Sequence, residues 1–230
     1  MRRALSSGNR TALDLFGPIA VNYERWSAWL SLMQDPRWRA RMVARLDVPP
    51  AARVLDVAAG TGLITRLLQA GGHRVVSLDL SAEMLGVAHR RGGTAVLATA
   101  EALPFPDATF DAVTFGYLLR YVPQPVDVLR EFARVLRPGG AIGMVEFGRP
   151  RGLWRLAWWC YTRLGLPAAG LLAGRGWSRV GAFLGPNIDA FHREFEGEAL
   201  PALWRSAGFV NVCVERPSLG GGLLTWARRP

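Results

Sequence analysis

Two glycines and an aspartate are the residues of this sequence whose spacing best predicts chemistry. Gly60 and Gly62 stand in a short loop after an apolar run that ends at Asp56, and Leu63 begins a segment with helical periodicity. Because glycine lacks a Cβ, a ligand can approach the main chain of such a loop closely. A second apolar run ends at Asp79, where nucleotide-binding α/β folds place the acid that accepts hydrogen bonds from ribose hydroxyls. The sequence therefore predicts a nucleoside site.

The glycine spacing argues against a ligand that carries a pyrophosphate. Thr65 stands where the third glycine of a dinucleotide-binding G-x-G-x-x-G sequence would be, and no basic residue follows Gly62 as in a phosphate-binding P-loop. The segment from Asp56 to Gly62 instead resembles the first motif of class I S-adenosylmethionine-dependent methyltransferases. In that family the loop lies under the amino acid end of the nucleoside, so the resemblance implies S-adenosylmethionine as the cofactor.

Later segments resemble further motifs of the same family. Ser81 is the predicted N-cap of a helix that extends to position 91. The other matching segments are the loop at 99–107 (D-A-E-x-L-P-F in the family), the strand at 110–115, the turn at 135–140 (L-x-P-G-G) and the buried strand at 141–147. Together these segments cover about residues 50–150 and are specific in combination.

The resemblance extends beyond this core to the ubiquinone/menaquinone biosynthesis C-methyltransferase family. The additional segments that carry it span nearly the whole chain. They are 16–23 (F-x-x-I-A-x-x-Y), 35–39 (D-x-x-W-R), 115–122 (F-G-L-R-N-V), 187–191 (S-I-R-x-x), 207–212 (A-G-F-x-x-V) and 220–226 (G-G-I-x-x-L). The resemblance implies C-methylation of a lipophilic quinol precursor, of the demethylmenaquinol or ubiquinol-precursor type.

Alternating strands and helices predict an α/β fold with a parallel sheet. The resemblance implies a Rossmann-like class I methyltransferase fold, with a seven-stranded, mostly parallel sheet, helices on both faces and an N-terminal helical segment. At 230 residues, with 50% hydrophobic residues and no linker or repeat, we predict one methyltransferase domain over 1–230. Its predicted parts are an N-terminal helical cap (1–50), a cofactor-binding core (51–148), an amphipathic or lid insertion (149–195) and a C-terminal helix with strands (196–230).

Twelve residues are predicted to contact S-adenosylmethionine from the glycine loop and the match to the family's motifs. They are Tyr23, Asp56, Ala58, Gly60, Thr61, Gly62, Asp79, Leu80, Met84, Thr99, Ala100 and Gly116. Two of these residues depart from the family's usual pattern. Thr99 replaces an aspartate that meets the adenine amino group, so that contact would fall to a hydroxyl or to the main chain. Gly116 occupies a position that is often serine and borders the substrate.

Three residues are candidates for catalysis. Arg120 matches the family's arginine at the end of the fourth strand, and since its pKa is too high for proton abstraction, we predict that it stabilises a phenolate or orients a water. The alternative is an arginine that caps a local helix or pairs with Asp127 or Glu131. Tyr121, where the family has asparagine, would hydrogen-bond a ring oxygen or only pack. His192 would act as a base or be structural.

Two other functions stay open at this point. An O- or N-methyltransferase of a soluble aromatic or secondary metabolite is favoured if the changes at Gly116 and Tyr121 reshape the acceptor pocket. A non-catalytic membrane-surface binding module that retains the fold is favoured if the change at Thr99 abolishes cofactor binding.

The net charge of +10 is carried by arginine, since the chain has no lysine. These arginines are scattered, without the aromatic stripe of an RNA-binding sheet, so we predict no nucleic-acid partner. Cys160 and Cys213 are predicted to be buried small side chains, and no metal site is predicted. The lack of a signal peptide and of a disulfide pattern predicts a cytoplasmic protein.

Residues 151–173 are predicted to form an amphipathic segment. On a helical wheel Arg151, Arg155, Thr162 and Arg163 fall on one side, and tryptophan and leucine side chains fill the other. This is the composition of a helix in a membrane interface, so we predict peripheral contact with the inner face of the cell membrane, or a lid over the site. A core-packing helix or a homodimer contact is the open alternative.

Overall fold

The computed structural model describes residues 5–90 and 93–230, in which strands and helices alternate as the sequence predicts. The strands are β1 Arg53–Val57, β2 Arg74–Asp79, β3 Thr94–Leu97, β4 Phe110–Gly116, β5 Leu136–Phe147, β6 Val210–Glu215 and β7 Gly222–Arg228. The helices are α1 Ser7–Phe16, α2 Tyr23–Leu30, α3 Gln34–Ala44, α4 Leu63–Ala70, α5 Ala82–His89, α6 Pro125–Val135, α7 Trp154–Cys160, α8 Leu166–Ala173, α9 Arg175–Glu194 and α10 Ala199–Ser206.

The strands of the described chain form one seven-stranded sheet in the order β3-β2-β1-β4-β5-β7-β6. Strands β1 to β5 run parallel to one another, and β7 is antiparallel to both β5 and β6. Parallel neighbours need crossover connections, which the intervening helices provide. The predicted α/β class and the mostly parallel, seven-stranded sheet are confirmed.

Side chains of the central strands pack into two cores, one on each face of the sheet. Leu55 of β1 belongs to the core that contains Phe132 of α6 and Trp204 of α10. Val54 belongs to the other core, together with Met42 of α3. Because successive side chains of a strand point to opposite faces, a strand that is buried on both faces needs helices on both sides of the sheet.

Two element boundaries differ from those predicted. Ser81 is the N-cap of α5, as predicted, and accepts a hydrogen bond from the main-chain N–H of Met84 at 3.2 Å. The helix ends at His89, however, and position 91 lies outside the described residues. Strand β5 begins at Leu136 rather than at position 141, with an irregular register opposite Phe110 that accommodates the proline and two glycines.

The amphipathic segment is helical, and its apolar side is not the side that packs against the protein. Thr162, which the wheel places on the polar side, is buried, whereas Leu153 and Leu164, which it places on the apolar side, are 94% and 61% exposed. Helix α7 continues into α8 through a wider π-type turn at Tyr161–Gly165. The Thr162 hydroxyl donates to the main-chain oxygen of Trp158 at 2.9 Å, which satisfies it in its buried position.

Both cysteines are exposed, so the prediction that they are buried is wrong. Cys160 ends α7, in which no side chain is buried, and Cys213 lies on the edge strand β6. Over residues 5–90 and 93–230, no helix combines the length and the hydrophobicity needed to cross a membrane. The same residues contain no group of three or more His, Cys, Asp or Glu side chains placed to hold a metal ion.

The carboxyl ends of β1, β2, β4 and β5 meet at one edge of the sheet, where α/β folds bind ligands. Helix α1 crosses this edge so closely that a Cβ at Gly8 would overlap the main-chain oxygen of Tyr121. Leu15 and Ile19 then pack against Trp177 of α9. Helices from before residue 50 and after residue 149 therefore enclose the edge where a ligand is expected.

Candidate active site

A first cavity of about 900 Å³, its open mouth included, lies at the carboxyl ends of β1 and β2. The residues around it come from the loops after these strands, from β4 and from the N-terminal helices. Those that the sequence predicts for the site are Tyr23, Ala58, Gly60, Thr61, Asp79, Leu80, Met84, Thr99, Ala100, Gly116 and Tyr121. The fold thus brings together residues that are up to about a hundred positions apart in the chain.

The loop after β1 presents its main chain to this cavity. Ala58 and Gly60 have positive φ angles of 53° and 58°, and a Cβ at Gly60 would meet no atom within 4 Å. Asp79 fixes the loop, because its Oδ2 accepts a hydrogen bond from the Gly60 N–H at 2.7 Å. Its Oδ1 accepts from the Ser81 N–H at 2.8 Å. Burial raises the pKa of the Asp79 carboxyl above its ordinary value.

The residues of the first cavity fit S-adenosylmethionine. The Asp79 carboxylate lines the cavity, where ribose hydroxyls can donate to it, and Leu80 and Met84 give an apolar surface for an adenine ring. The open space over the Gly60 main chain admits the amino acid end of the molecule. These three features are what a nucleoside without phosphates requires.

Glu101 lines the first cavity together with Thr99; the sequence left its role open between ligand and main-chain contact, and it was not among the predicted site residues. Its Oε1 accepts a hydrogen bond from the Asn9 side chain at 2.8 Å, which ties α1 to the loop after β3. A carboxylate therefore remains near the position where the family's usual aspartate is replaced by Thr99.

Asp56 and Gly62 do not line the first cavity and have positioning roles. The Asp56 carboxylate accepts hydrogen bonds from the hydroxyls of Thr65 at 2.7 Å and Thr114 at 3.0 Å, which joins β1 to α4 and β4. Burial raises the pKa of Asp56 to about 6. Gly62 has a φ of +85°, and a Cβ there would lie 3.2 Å from the Cβ of Ala88, so its small size lets α4 and α5 pack.

A second cavity of about 610 Å³ adjoins the first and shares Phe16, Tyr23 and Tyr117 with it. Its walls are mostly aromatic and aliphatic side chains from α2, the segment after β4, the end of β5 and the helices after residue 153. Its remaining lining residues are Ser27, Leu30, Ser31, Asp35, Arg120, Phe147, Trp158, Tyr161, Thr162, Leu166, Trp177, Val180, Leu184 and Ile188. An apolar pocket with a few polar groups is suited to an aromatic molecule that carries hydroxyls.

Arg120 lies in the wall of the second cavity with its charge balanced by buried partners. Its Nε lies 2.9 Å from Glu146 Oε1, and its Nη1 donates to Asn187 Oδ1 at 2.7 Å. Burial lowers the pKa of Arg120, but Glu146, Tyr121 and Tyr117 together outweigh this effect and leave the pKa above its ordinary value, so the guanidinium stays charged. The predicted alternative of pairing with Asp127 or Glu131 is wrong, since those carboxylates bind other arginines.

The other two predicted catalytic residues have different surroundings. Tyr121 lines the first cavity, and burial raises its pKa to about 12. His192 is buried in α9, where its Nε2 lies 2.8 Å from the main-chain oxygen of Phe147, and burial lowers its pKa. His192 lines neither the first nor the second cavity, and the bond it makes holds α9 to the end of β5.

Four polar residues that the sequence did not single out stand at or beside the two cavities. Asp35 Oδ1 accepts from Arg39 Nε at 2.8 Å and from the Tyr117 hydroxyl at 2.5 Å. Tyr117 has a positive φ of 57°, an uncommon conformation for a bulky residue. Glu146 is the buried partner of Arg120. A glutamate in the apolar run 141–147 was a usable signal, because a buried carboxylate needs a cation.

A third cavity of about 810 Å³ continues from the second and shares Ser31, Phe147, Trp158 and Tyr161 with it. Its other walls include Leu32, Gln34, Trp38, Pro150, Trp154, Ala157, Ser218, Leu219 and Gly221. Leu32, Trp154 and Leu219 are exposed on the outer surface. The three cavities therefore form a series that begins at the glycine loop and ends at an apolar patch of the surface.

Comparison with known sequences agrees with this geometry. The sequence model of the ubiE/COQ5 methyltransferase family matches residues 5–227. The ubiquinone/menaquinone biosynthesis C-methyltransferase UbiE of Desulfotalea psychrophila is 36% identical over 92% of this chain and 87% of its own. The demethylmenaquinone methyltransferase of Bacillus licheniformis is 34% identical over 93% of this chain and 95% of its own. A Corynebacterium urealyticum demethylmenaquinone methyltransferase is 40% identical over 65% of each chain, so there this chain spans just under two thirds of its relative's length.

Solved structures with low sequence identity share the fold. A SAM-dependent methyltransferase from Thermotoga maritima has a TM-score of 0.65 at 20% identity, over 94% of this chain and 98% of that one. The phosphoethanolamine N-methyltransferase 2 of Haemonchus contortus has a TM-score of 0.67 at 15% identity, over 100% of this chain and 61% of that one. With the family match over nearly the whole sequence, the chain belongs to the ubiE/COQ5 methyltransferase family and is an S-adenosylmethionine-dependent methyltransferase.

Proposed function

We propose that this protein transfers a methyl group to a ring carbon of a lipophilic quinol, of the demethylmenaquinol or ubiquinol-precursor type. The observation that carries the proposal is the second cavity, which is lined by aromatic rings, contains Arg120 and adjoins the first cavity along three shared aromatic side chains. The names of relatives that are 34–36% identical over most of both chains support the same substrate class.

The chemistry asks the protein mainly for positioning. The cofactor supplies an activated methyl group, and the two adjoining cavities can hold a ring carbon in line with it. Such alignment of two bound molecules can supply a large part of the rate enhancement. The Arg120 guanidinium lines the second cavity, where it can stabilise negative charge on a quinol oxygen. The aromatic walls exclude water from this reaction.

We further propose that the third cavity takes the isoprenoid tail and that the protein contacts the membrane at its outer end. The third cavity leads from the second cavity to the surface beside α7. The side chains Leu153, Trp154, Leu156, Trp159, Leu164, Leu171 and Leu172 are exposed there and along α8. Exposed tryptophan and leucine on a helix that also carries arginine are suited to a membrane interface. A tail in this path would stay partly in the lipid during the reaction.

Methyl transfer from labelled S-adenosylmethionine tests the substrate class. We expect label on the ring carbon of a demethylmenaquinol presented in vesicles, identified by mass spectrometry and NMR of the product. Label on an oxygen or nitrogen of a soluble aromatic compound, with none on the quinol, would favour the second enzyme class. If calorimetry detects no binding of S-adenosylmethionine or S-adenosylhomocysteine, the protein is a binding module instead.

A further inference from the structure

Asp35 places a buried carboxylate in the wall of the second cavity. The residue is 2% exposed and lies in the first turn of α3. Its Oδ1 accepts both available donors, Arg39 Nε at 2.8 Å and the Tyr117 hydroxyl at 2.5 Å. Its Oδ2 is also buried, yet it has no hydrogen-bond partner among the described residues.

A buried carboxylate oxygen without a donor is costly, and each such atom calls for a partner that the protein does not supply, such as a ligand or an ordered water. Asp35 Oδ2 shares this property with Glu146 Oε2, but the Glu146 carboxylate already neutralises Arg120. The anion itself is well supported, by Arg39 one turn further along α3 and by the positive end of that helix. The protein therefore holds a charged oxygen in place at a cavity whose other walls are mostly apolar. What is missing is a hydrogen-bond donor from a molecule in that cavity.

We propose that Asp35 is a catalytic base, whose Oδ2 accepts the hydrogen bond and then the proton of a hydroxyl on the acceptor ring. This inference rests on the proposed function, because it needs a hydroxylated ring in the second cavity. Arg120 lies in the wall of the same cavity, so a ring with two hydroxyls can present one to a carboxylate and the other to a guanidinium.

The proton transfer balances without any further reactant. As the ring carbon forms its new bond to the methyl group, the sulfur–methyl bond breaks and its electron pair stays on sulfur. Electron density moves from the hydroxyl oxygen into the ring, so that hydroxyl becomes strongly acidic and a carboxylate suffices to take its proton. The methylated carbon then loses its hydrogen to water while Asp35 returns its proton to the oxygen. One proton is released overall and the aromatic quinol is restored.

Replacement of the carboxylate by an amide of the same shape tests this role. Asp35→Asn should lower kcat for quinol methylation by about 10²–10⁴-fold, with the affinity for S-adenosylhomocysteine unchanged in calorimetry. The matched control is Asp111→Asn, which removes a carboxylate paired with Arg137 at the start of β4, the opposite edge of the sheet. The control should keep wild-type kcat. If Asp35→Asn also keeps it, Asp35 is not the base.

A blocked substrate separates a base from a merely structural carboxylate. Methylating one quinol hydroxyl beforehand should slow the wild-type enzyme, and Asp35→Asn should then add no further loss, because the two changes remove the same contact. If the rate loss from Asp35→Asn multiplies with the loss from the blocked hydroxyl for both monomethyl ethers, the proposal is wrong. Binding of quinol analogues without cofactor can be followed by tryptophan fluorescence. Asp35→Asn should weaken the binding of the free quinol, but it should not weaken the binding of the ether whose methylated oxygen is the one that contacts Asp35.

If Asp35→Asn fails to fold, two measurements on the wild-type protein still test the proposal. Single-turnover methylation by the wild-type protein should be slower in D₂O when the hydroxyl proton moves with the methyl group, and an equal rate would contradict the proposal. A wild-type protein that methylates no quinol at all would instead refute the proposed function, and so the two failures are distinguishable.

Discussion

Asp79 is the residue on which the nucleoside site most directly depends. Its two carboxylate oxygens already bind the main chain of Gly60 and Ser81. Asp79→Ala should weaken the binding of S-adenosylhomocysteine by about 1.5–3 kcal/mol, since hydrogen bonds to a charged acceptor are lost. Isothermal calorimetry measures this change. Asp47→Ala, which removes an exposed carboxylate beside Arg228, is the control and should bind normally. Equal affinity in both variants would contradict the ribose assignment.

Arg120 should matter for turnover and not for the cofactor. Arg120→Lys keeps the charge but loses the planar fork that reaches both Glu146 and Asn187. We expect kcat to fall by about 10²–10³-fold, as when an electrostatic contact to a developing anion is removed. Rapid-quench single turnovers measure this, and Arg163→Lys, at the ion pair with Asp189, is the matched control. Wild-type kcat in Arg120→Lys would leave the arginine a structural role only.

Sequence patterns were sufficient to predict those residues of the candidate site whose positions depend on nearby residues in the sequence. The glycine loop, Asp79 and the N-cap Ser81 follow from turn chemistry and strand ends, which are encoded within a few positions. Asp35 and Tyr117 were missed because their contact joins segments that are 82 positions apart. His192 shows the converse error, since its residue type suggested a base but its partner is the main chain of Phe147.

At the scale of elements, the proposed membrane contact rests on the helical segment from Trp154 to Ala173. The double change Leu156→Ser and Trp159→Ser removes two exposed apolar side chains and should weaken binding to anionic vesicles by about tenfold or more. A vesicle co-sedimentation assay measures it. Leu97→Ser, at a leucine that is 60% exposed on β3, is the control. If both proteins bind vesicles as the wild type does, α7 is not the contact.

The same segment shows where prediction from periodicity stops. A helical wheel predicted an amphipathic helix, and the segment is helical, but periodicity alone does not tell which side faces the protein. The helix also passes through a wider turn at Tyr161–Gly165, in which Thr162 is buried, while Leu156, Leu164 and Leu171 are exposed. The order and parallel pairing of the central strands were predictable, because crossover connections restrict the alternatives.

At the scale of the whole molecule, stability should depend on pH through Asp56. Burial raises the folded-state pKa of this carboxyl to about 6, above the unfolded value, so the native state binds the proton more tightly. The stability from this group is complete below about pH 4 and is lost as the pH rises through 6, by up to about 3 kcal/mol. Asp56→Asn cannot ionise. Its free energy of unfolding in urea, relative to wild type, should therefore increase between pH 4 and pH 7.

The control for this effect is a carboxyl whose pKa shifts the other way. Asp111 has a lowered pKa: burial opposes the shift, but the Arg53 main-chain N–H and the Arg137 guanidinium outweigh it. The difference between Asp111→Asn and wild type should therefore not increase with pH in the way expected for Asp56→Asn. A pH-independent difference for Asp56→Asn would mean that the buried carboxyl titrates normally.

The partition between the first two cavities, formed by Phe16, Tyr23 and Tyr117, has a consequence for product release. If a methyl donor reacts across this partition, its sulfonium would lie near these aromatic rings, whose quadrupoles attract cations. Transfer of the methyl group discharges the sulfur, and that attraction ends with it. The aromatic partition would therefore bind the charged methyl donor more tightly than its neutral thioether product. Each turnover would in this way lower the affinity for the by-product and favour its release.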